Sequence, residues 1–213
     1  MPAKDTTEPK QRILDAAILL FAKKGFSGVG VREIAKEADV NIAMISYYYE
    51  GKVGILKSII EEYFSRFHLY IANMDFASQS PEENIRELIG NIIEFVRENT
   101  ELALVMYNEL PLDIPEITEL KAERISAMIR NLSGLIHQFG IDPGDLSIIS
   151  MIGPSLIGMI FTNFRAQSVV RQAFGVEIDD AYYERLKGTL STLFLEGVKG
   201  VVADMKENRG RQR

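Results

Sequence analysis

Apolar side chains recur every three or four residues along most of the chain, and this spacing predicts helices rather than strands. In the first segment, Ile13, Ala17 and Phe21 fall on one face of a helix. Thr7 offers a hydroxyl cap before this run, and Gly25 interrupts the pattern after it. The pattern therefore predicts a first helix between these two residues.

Two short helices follow the first one. One covers residues 31–38 after a cap at Gly30, and the other covers residues 41–49 with Asn41 as a preferred N-cap residue. Only the dipeptide Asp39–Val40 lies between them. Two short helices joined by such a tight turn are typical of a helix-turn-helix.

The rest of the chain keeps the helical spacing, with Pro and Gly residues between the segments. Further helices are expected over residues 53–74, 83–99, 101–109, 117–139, 145–167 and 180–206. A polar, basic tail at residues 208–213 is expected to be disordered. The predicted fold is all-α, with an N-terminal three-helix helix-turn-helix domain (1–52) and a C-terminal helical domain (53–213).

The third helix cannot be buried on all sides in so small a domain. Ile45 and Tyr49 are one turn apart and can face inward, so apolar and aromatic side chains elsewhere on this helix must face solvent. Such groups suit the major groove of DNA, where thymine methyls accept apolar contacts and hydroxyls pair with several bases. The candidates for this exposed face are Ile42, Ala43, Met44, Ser46, Tyr47 and Tyr48.

Charge is distributed unevenly along the chain. Residues 1–56 carry eight Lys or Arg and seven Asp or Glu, a net charge of +1, and since the whole chain carries −6, the remainder carries −7. Only this N-terminal quarter can approach phosphates at low electrostatic cost. Lys52 begins the next predicted helix, where the helix dipole disfavours a cation unless a phosphate is bound. The charge pattern therefore predicts a phosphate contact at Lys52.

The same segment resembles a known protein family. Residues 12–56, RILDAAILLFAKKGFSGVGVREIAKEADVNIAMISYYYEGKVGIL, are similar to the N-terminal domain of the TetR family of bacterial regulators. The similarity rests on the apolar anchors of the first two helices and on the tyrosines before Lys52. The sequence departs from the family at Gly30, where Ser or Thr is usual, and at Ser46, where an aromatic residue is common.

The resemblance implies roles for individual residues. It implies that Arg32 contacts DNA from the second helix and that Tyr47, Tyr48 and Lys52 hold phosphates. It further implies a groove-lining set made of Asn41, Ile42, Ala43, Met44 and Ser46.

Catalytic and metal-binding chemistry finds little support. The chain has no Cys, which excludes disulfides and thiolate sites, and its two histidines, His68 and His137, are not spaced as metal ligands. Nucleophile triads, phosphate-binding loops and paired catalytic carboxylates are not recognisable. We therefore expect no enzymatic activity, metal or cofactor. Residues 1–12 contain no apolar run typical of a secretory signal, so we expect a cytoplasmic protein.

The C-terminal domain carries no motif that identifies a ligand. Its aromatic and Met side chains allow an apolar pocket with a few polar anchors, although such residues are more often ordinary core. The predicted pocket residues are Phe64, His68, Met106, Tyr107, Glu109, Phe161, Asn163 and Phe164.

Residues 146–164 carry no formal charge and approach the length of a membrane span. The hydroxyl and amide side chains within them favour instead a helix that is buried on nearly all sides, as at a subunit interface. Small residues here and on the last helix permit close helix packing, either in a four-helix dimer bundle or inside one chain. The predicted dimer-interface residues are Ser150, Gly153, Ser155, Gly158, Gly188, Gly197 and Gly200.

These observations predict a homodimeric transcription regulator that binds a palindromic DNA operator, is released by an unidentified small molecule and has no membrane partner. The alternative is a helical ligand-binding or protein-interaction module that uses its three-helix domain for protein contacts. The two differ in salt dependence, because phosphate contacts release counterions from DNA.

Overall fold

The computed structural model describes residues 8–72 and 74–211, and every regular element in this part of the chain is helical. The all-α prediction is therefore confirmed, while Thr7, the predicted first cap, lies outside the described residues. The helices are α1 (Pro9–Lys24), α2 (Val31–Glu37), α3 (Ala43–Tyr49), α4 (Lys52–Ile71), α5 (Pro81–Glu98), α6 (Thr100–Leu104), α7 (Pro115–Asn131), α8 (Ser133–Gln138), α9 (Leu146–Arg165), α10 (Gln167–Phe174) and α11 (Asp180–Arg211), with a π-helical turn (Val105–Glu109) directly after α6.

The first of two compact units comprises the chain up to His68 together with Glu98–Ile125. Its core joins the inner faces of α1 to α4 with α6, the π-helical turn and the start of α7. The three N-terminal helices thus share one core with a later segment, and this compact unit does not end at the predicted boundary after Lys52. The functional division at that boundary stays a prediction. Side chains without exposed area in this core include Ile13, Ala17, Phe21, Ile34, Ile55, Leu56, Val105 and Ile117.

Glycines define the helix ends next to α1 and α2 as the sequence predicts. Gly25 ends α1 with a φ of +73°, a left-handed conformation that glycine adopts without the steric cost of a Cβ. A Cβ at this position would also lie 2.9 Å from Oε2 of Glu109, so the π-helical turn packs closely against the end of α1. Gly30 precedes α2 in an extended conformation.

The second compact unit comprises Leu69–Arg97 and the chain from Ser126 onward. The end of α5 is tied to the start of α11, because Arg97 forms an ion pair with Asp180 and its guanidinium lies 4.4 Å from the ring centroid of Tyr183. α9 and α11 also pack against each other in this unit.

Two predicted helices are interrupted in the structure. The segment 101–109 is α-helical only as far as Leu104 and continues as the π-helical turn. The segment 117–139 forms α7 and α8 rather than one helix, with a break at Leu132 (φ −89°, ψ 4°). The Asn, Ser and Gly residues around this break are weaker helix formers than those on either side, which explains the interruption.

Two further predictions are wrong in the last part of the chain. Residues 167–174 form α10, which the spacing does not predict, and Gly175 ends this helix in a left-handed conformation. The tail, predicted to be disordered over 208–213, is helical as far as Arg211, the last residue that the structure describes.

The prediction that α9 is buried on nearly all sides is wrong for the single chain. Only 22% of the most apolar 18-residue stretch of this helix is buried, and Leu146 and Met151 are 64% and 58% exposed. By length and composition alone this helix is apolar enough to cross a membrane, a test that core helices of soluble proteins also pass.

Candidate nucleic-acid interface

The predicted helix-turn-helix is formed by α2, α3 and the turn between them. Asp39 in this turn has a φ of +50°, a left-handed conformation that Asp tolerates better than most residues. Val40 N donates to Ala35 O at 3.0 Å, which closes the turn onto α2. Arg12 of α1 reaches the turn, with its Nη2 3.5 Å from Asp39 O. The turn is therefore held both by its own backbone and by the first helix.

The inner face of α3 is anchored by Ile45 and Tyr49, which are 1% and 4% exposed. The Tyr49 hydroxyl donates to Lys10 O in α1 at 2.6 Å. Burial, with smaller contributions from the negative charges of Asp15 and Glu62, raises the pKa of Tyr49 to about 12. The phenol therefore stays protonated at neutral pH and keeps donating to α1.

A close backbone approach joins the end of α3 to the start of α4. Gly54, in the first turn of α4, lies against the carbonyl oxygen of Tyr49, and a Cβ there would overlap that oxygen. Glu50 and Gly51 between the helices have φ values of +59° and +113°. Neither this approach nor the Tyr49 hydroxyl bond is evident from the sequence pattern. The only sequence signal of the close approach is Gly54 itself, because a glycine inside a helix costs about 1 kcal/mol relative to Ala.

The outer face of α3 presents small, apolar and hydroxyl side chains to solvent. Ile42 is 43% exposed and Tyr47 is 81% exposed, both high values for residues of this size. The predicted DNA-binding residues with exposed side chains are Arg32 on α2, then Asn41, Ile42, Ala43, Ser46 and Tyr47 on and before α3. The structure thus brings most of the predicted contact residues together on α3 and at the two positions directly before it.

Met44 and Tyr48 differ from their neighbours on α3 because both are half-buried and pack against the core of the first unit. The Tyr48 ring lies edge-on to Tyr47, with centroids 4.9 Å apart. Tyr48 therefore supports the exposed Tyr47 ring from the side. The groove contact predicted for Met44 stays a prediction, and its side chain is less accessible than those of Ile42 and Ala43.

The predicted N-cap at Asn41 is wrong, since α3 begins at Ala43 and its N-cap residue is Ile42. Asn41 nevertheless bonds to the start of the helix through its side chain. Its Oδ1 accepts a hydrogen bond from Ala43 N at 2.9 Å. This bond satisfies one of the backbone N–H groups that helix ends leave open. The hydrogen-bond donors of the Asn41 side chain are its amide NH2 group, which this bond does not use.

Lys52 is held at the start of α4 by the loop between α1 and α2. Its Nζ donates to Phe26 O and lies 3.9 Å from the centroid of the Phe26 ring. Burial lowers the pKa of Lys52. An ammonium in this position has further N–H donors for an anion, because a lysine carries three.

The predicted pocket residues of the first unit do not share one environment. Met106 is 4% exposed within the core, and Phe64 packs against that core. His68 and Tyr107 are exposed, and Glu109 is half-buried against the end of α1. A cleft of about 420 Å³ beside α1 and α4 is lined by other, mostly polar residues. The assignment of the predicted residues to a ligand pocket stays a prediction.

The predicted pocket residues of the second unit all lie on α9. Phe161 and Phe164 are buried, and the Phe164 ring stacks on Tyr183 with centroids 5.7 Å apart. The Asn163 side chain donates to Met159 O within its own helix at 2.7 Å. Within the described residues, no group of three or more His, Cys, Asp or Glu side chains is arranged to hold a metal ion.

The predicted interface residues are almost all on open surface of α9 and α11. A Cβ placed on Gly153, Gly188, Gly197 or Gly200 would meet no other atom within 4 Å. Ser150 and Ser155 are exposed and Gly158 is half-buried. Large apolar side chains are exposed on the same two helices, namely Leu146, Met151, Leu193 and Val201.

Comparison with known proteins agrees with this geometry. Residues 13–59, which include α2, α3 and the start of α4, match the family model described as bacterial regulatory proteins, tetR family. The probable HTH-type transcriptional regulator YttP of Bacillus subtilis is 37% identical over 113 residues, which are 52% of this chain and 55% of that protein. The chain spans about half the length of the curated relatives it matches.

Solved structures share the fold over nearly the whole chain. The fatty acid degradation regulator FadR of Bacillus halodurans superposes with a TM-score of 0.72 at 21% identity, covering 91% of this chain and 98% of that one. The transcriptional regulator FadR of Bacillus subtilis in complex with stearoyl-CoA has a TM-score of 0.66 at 21% identity, covering 88% of this chain and 98% of that one. At this identity the likeness establishes the fold.

The close approach at Gly54 generates a test of how α3 is held. Gly54→Ala is expected to lower the free energy of unfolding by about 1–3 kcal/mol, because the new methyl group forces the backbone of Tyr49 away. Gly134→Ala is the matched control, since an added Cβ on this exposed position of α8 meets nothing within 4 Å. Urea unfolding followed by circular dichroism measures both variants. Equal stability of Gly54→Ala and the unmodified protein would contradict the packing described for this junction.

Proposed function

The chain is a member of the TetR family of bacterial transcriptional regulators, and on that premise we propose that it binds a palindromic operator as a homodimer and is released by a small molecule. We place this regulator in the cytoplasm, without catalytic activity. The observation that carries the proposal is the exposed surface of α3 and its N-cap residue, where Ile42, Ala43, Ser46 and Tyr47 are open to solvent while Ile45 and Tyr49 of the same helix are buried.

A helix in this arrangement fits the major groove for a physical reason. The groove of B-DNA admits one α-helix, and small side chains allow its backbone to approach the base edges closely. Ala43 and Ser46 are the small residues on the exposed face, and Tyr47 extends from it with a free path to solvent. The second helix of a helix-turn-helix is the one that reads bases in this way.

Phosphate contacts are proposed for Lys52, Arg32 and the Tyr47 and Tyr48 hydroxyls. Lys52 stands at the start of a long helix, where its ammonium and the free backbone N–H groups attract the same anion. Its lowered pKa reflects partial burial, and a phosphate would supply a compensating negative charge. These contacts position the protein, while base contacts select the sequence.

Selection from random duplex DNA at low salt tests operator binding. The unmodified protein is expected to enrich a palindrome, because a two-fold dimer presents two identical reading helices. Lys52→Gln is expected to weaken binding and to reduce the slope of log affinity against log salt concentration by about 0.9 for each phosphate that the variant no longer neutralises. Fluorescence anisotropy at several salt concentrations measures this slope.

The matched control for this measurement is Arg86→Gln on α5, which removes an exposed charge outside α2, α3 and the two helices proposed for dimerisation and is expected to leave the slope unchanged. Failure to enrich any duplex would overturn operator binding. A protein partner bound through the same face with little salt dependence would support the alternative of an interaction module.

Dimerisation is proposed through α9 and α11 because these helices expose an apolar surface that the chain itself does not cover. Met151 and Leu193 are 58% and 59% exposed, and Gly197 and Gly200 share the face of Leu193 at helical spacing. Small residues next to exposed apolar ones allow a second pair of helices to pack closely. A two-fold axis through this surface would produce a four-helix bundle.

Leu193→Asp tests the dimer surface. The substitution is expected to convert a dimer into a monomer in sedimentation velocity, because a charge would be buried without a partner. Leu112→Asp is the matched control, since Leu112 is 58% exposed and lies in the first unit. A Leu193→Asp protein that still sediments at twice the chain mass would exclude this interface.

The effector is proposed to be a long-chain acyl thioester. The support comes from two proteins with the same fold, the fatty acid degradation regulator of Bacillus halodurans and the Bacillus subtilis regulator in complex with stearoyl-CoA. The protein can exist in a conformer that binds DNA and in one that does not. Release requires that the effector bind the second conformer more tightly than the first. A 100-fold reduction of operator affinity corresponds to about 2.7 kcal/mol of differential binding.

Competition with labelled operator tests the effector. Stearoyl-CoA below its micelle concentration is expected to weaken operator binding, while CoA and acetyl-CoA are not, because only the long chain buries apolar surface. An operator affinity that does not respond to any acyl chain length would reject this ligand class and leave the operator-binding proposal intact.

A further inference from the structure

The reading face of α3 carries no charged side chain. From Asn41 to Tyr49 the sequence contains neither Lys, Arg, Asp nor Glu. The commonest specific contact in the major groove is the pair of hydrogen bonds from Arg or Lys to O6 and N7 of guanine. This helix cannot make that contact, so its selectivity has to come from other groups.

Asn41 is poorly placed to replace it. An Asn reads adenine by donating from its amide to N7 while accepting from N6 at its carbonyl oxygen. In the structure the Asn41 carbonyl oxygen already accepts from Ala43 N at 2.9 Å. Reading adenine with both groups would therefore compete with the bond that begins α3.

Ile42 is the large aliphatic side chain on this face, and it is 43% exposed. It is the N-cap residue of α3, adjacent to exposed Ala43 and one turn before exposed Ser46, both of which have small side chains. Met44, the other long aliphatic side chain in this segment, packs against the core instead. An exposed Ile gains free energy when another apolar group covers it.

The apolar group that the major groove offers is the C5 methyl of thymine. We propose that Ile42 is a specificity-determining residue that selects thymine at one position of each operator half-site by covering this methyl group. The inference rests on the proposed operator binding. It assigns the choice of base to an apolar contact rather than to a hydrogen-bond pair.

Replacing thymine by deoxyuridine removes the methyl group and leaves base pairing unchanged, which gives a direct test. In the selected operator, each thymine of a half-site and its symmetry mate are replaced together, and affinity is measured by anisotropy at fixed salt. At one position the unmodified protein is expected to bind about fourfold more weakly per methyl removed, equivalent to about 0.8 kcal/mol, and about 15-fold more weakly for the symmetric pair.

Variants then identify the side chain that senses the methyl. Ile42→Ala is expected to bind the thymine operator more weakly and to weaken by less than about twofold on symmetric substitution by deoxyuridine, because the side chain that covers the methyl is gone. Leu112→Ala, at an exposed aliphatic residue outside α3, is expected to keep the full discrimination. Circular dichroism checks that each variant remains folded, which is expected because Ile42 is not part of the buried core.

The outcomes separate the inference from the function on which it rests. If no duplex is selected, operator binding fails and the inference fails with it. If an operator is bound but no thymine responds to deoxyuridine, the inference is overturned and operator binding stands. If a thymine responds and Ile42→Ala retains the response, another side chain reads the methyl and the assignment to Ile42 is overturned.

Discussion

Burial of Ile45 and Tyr49 on one side of α3 determines which side chains of that helix remain available to a partner. Both residues are almost completely covered, and the Tyr49 hydroxyl bonds to the backbone of α1. A helix with two such anchors cannot rotate about its axis without breaking that bond and exposing apolar area. The outer face is consequently presented in one orientation, which a surface that reads base edges requires.

The same core joins α2 and α3 to a segment that begins about fifty residues after the end of α3. Leu102, Val105 and Met106 of α6 and the π-helical turn are buried among residues of α1 to α4. Protein interiors are densely packed, so a displacement of this segment requires a rearrangement of its neighbours. π-Helical turns are uncommon and frequently occur at functional sites. A change at this turn would therefore reach the end of α1, against which Glu109 packs.

The second unit presents a different physical problem, because it leaves apolar helix surface uncovered. α9 has the apolar composition of a buried helix, yet the greater part of its apolar stretch is accessible in the single chain. Exposed Leu and Met side chains favour association because contact with another surface would bury them. The neighbouring glycines leave space for close helix packing. The dimer proposed through α9 and α11 would cover this surface and would reconcile the sequence pattern with the structure.

The sequence by itself determined the helical class, the helix-turn-helix and the inward positions of α3. These features depend on local rules: apolar spacing, the turn between two short helices, and Gly25 and Gly30 at helix ends. Most residues of the proposed reading surface could be predicted for the same reason. Once the inner positions of a short helix are assigned to the core, the remaining positions must face solvent.

Only the tertiary structure decided the features that depend on residues distant in sequence. The partial burial of Met44 and Tyr48, the bond of Lys52 to Phe26 and the approach of Gly54 to Tyr49 each involve a neighbouring element whose position no local pattern specifies. The inclusion of Glu98–Ile125 in the first unit is of the same kind. Apolar periodicity reports that a helix face is covered, and it does not report which part of the chain, or which chain, covers it.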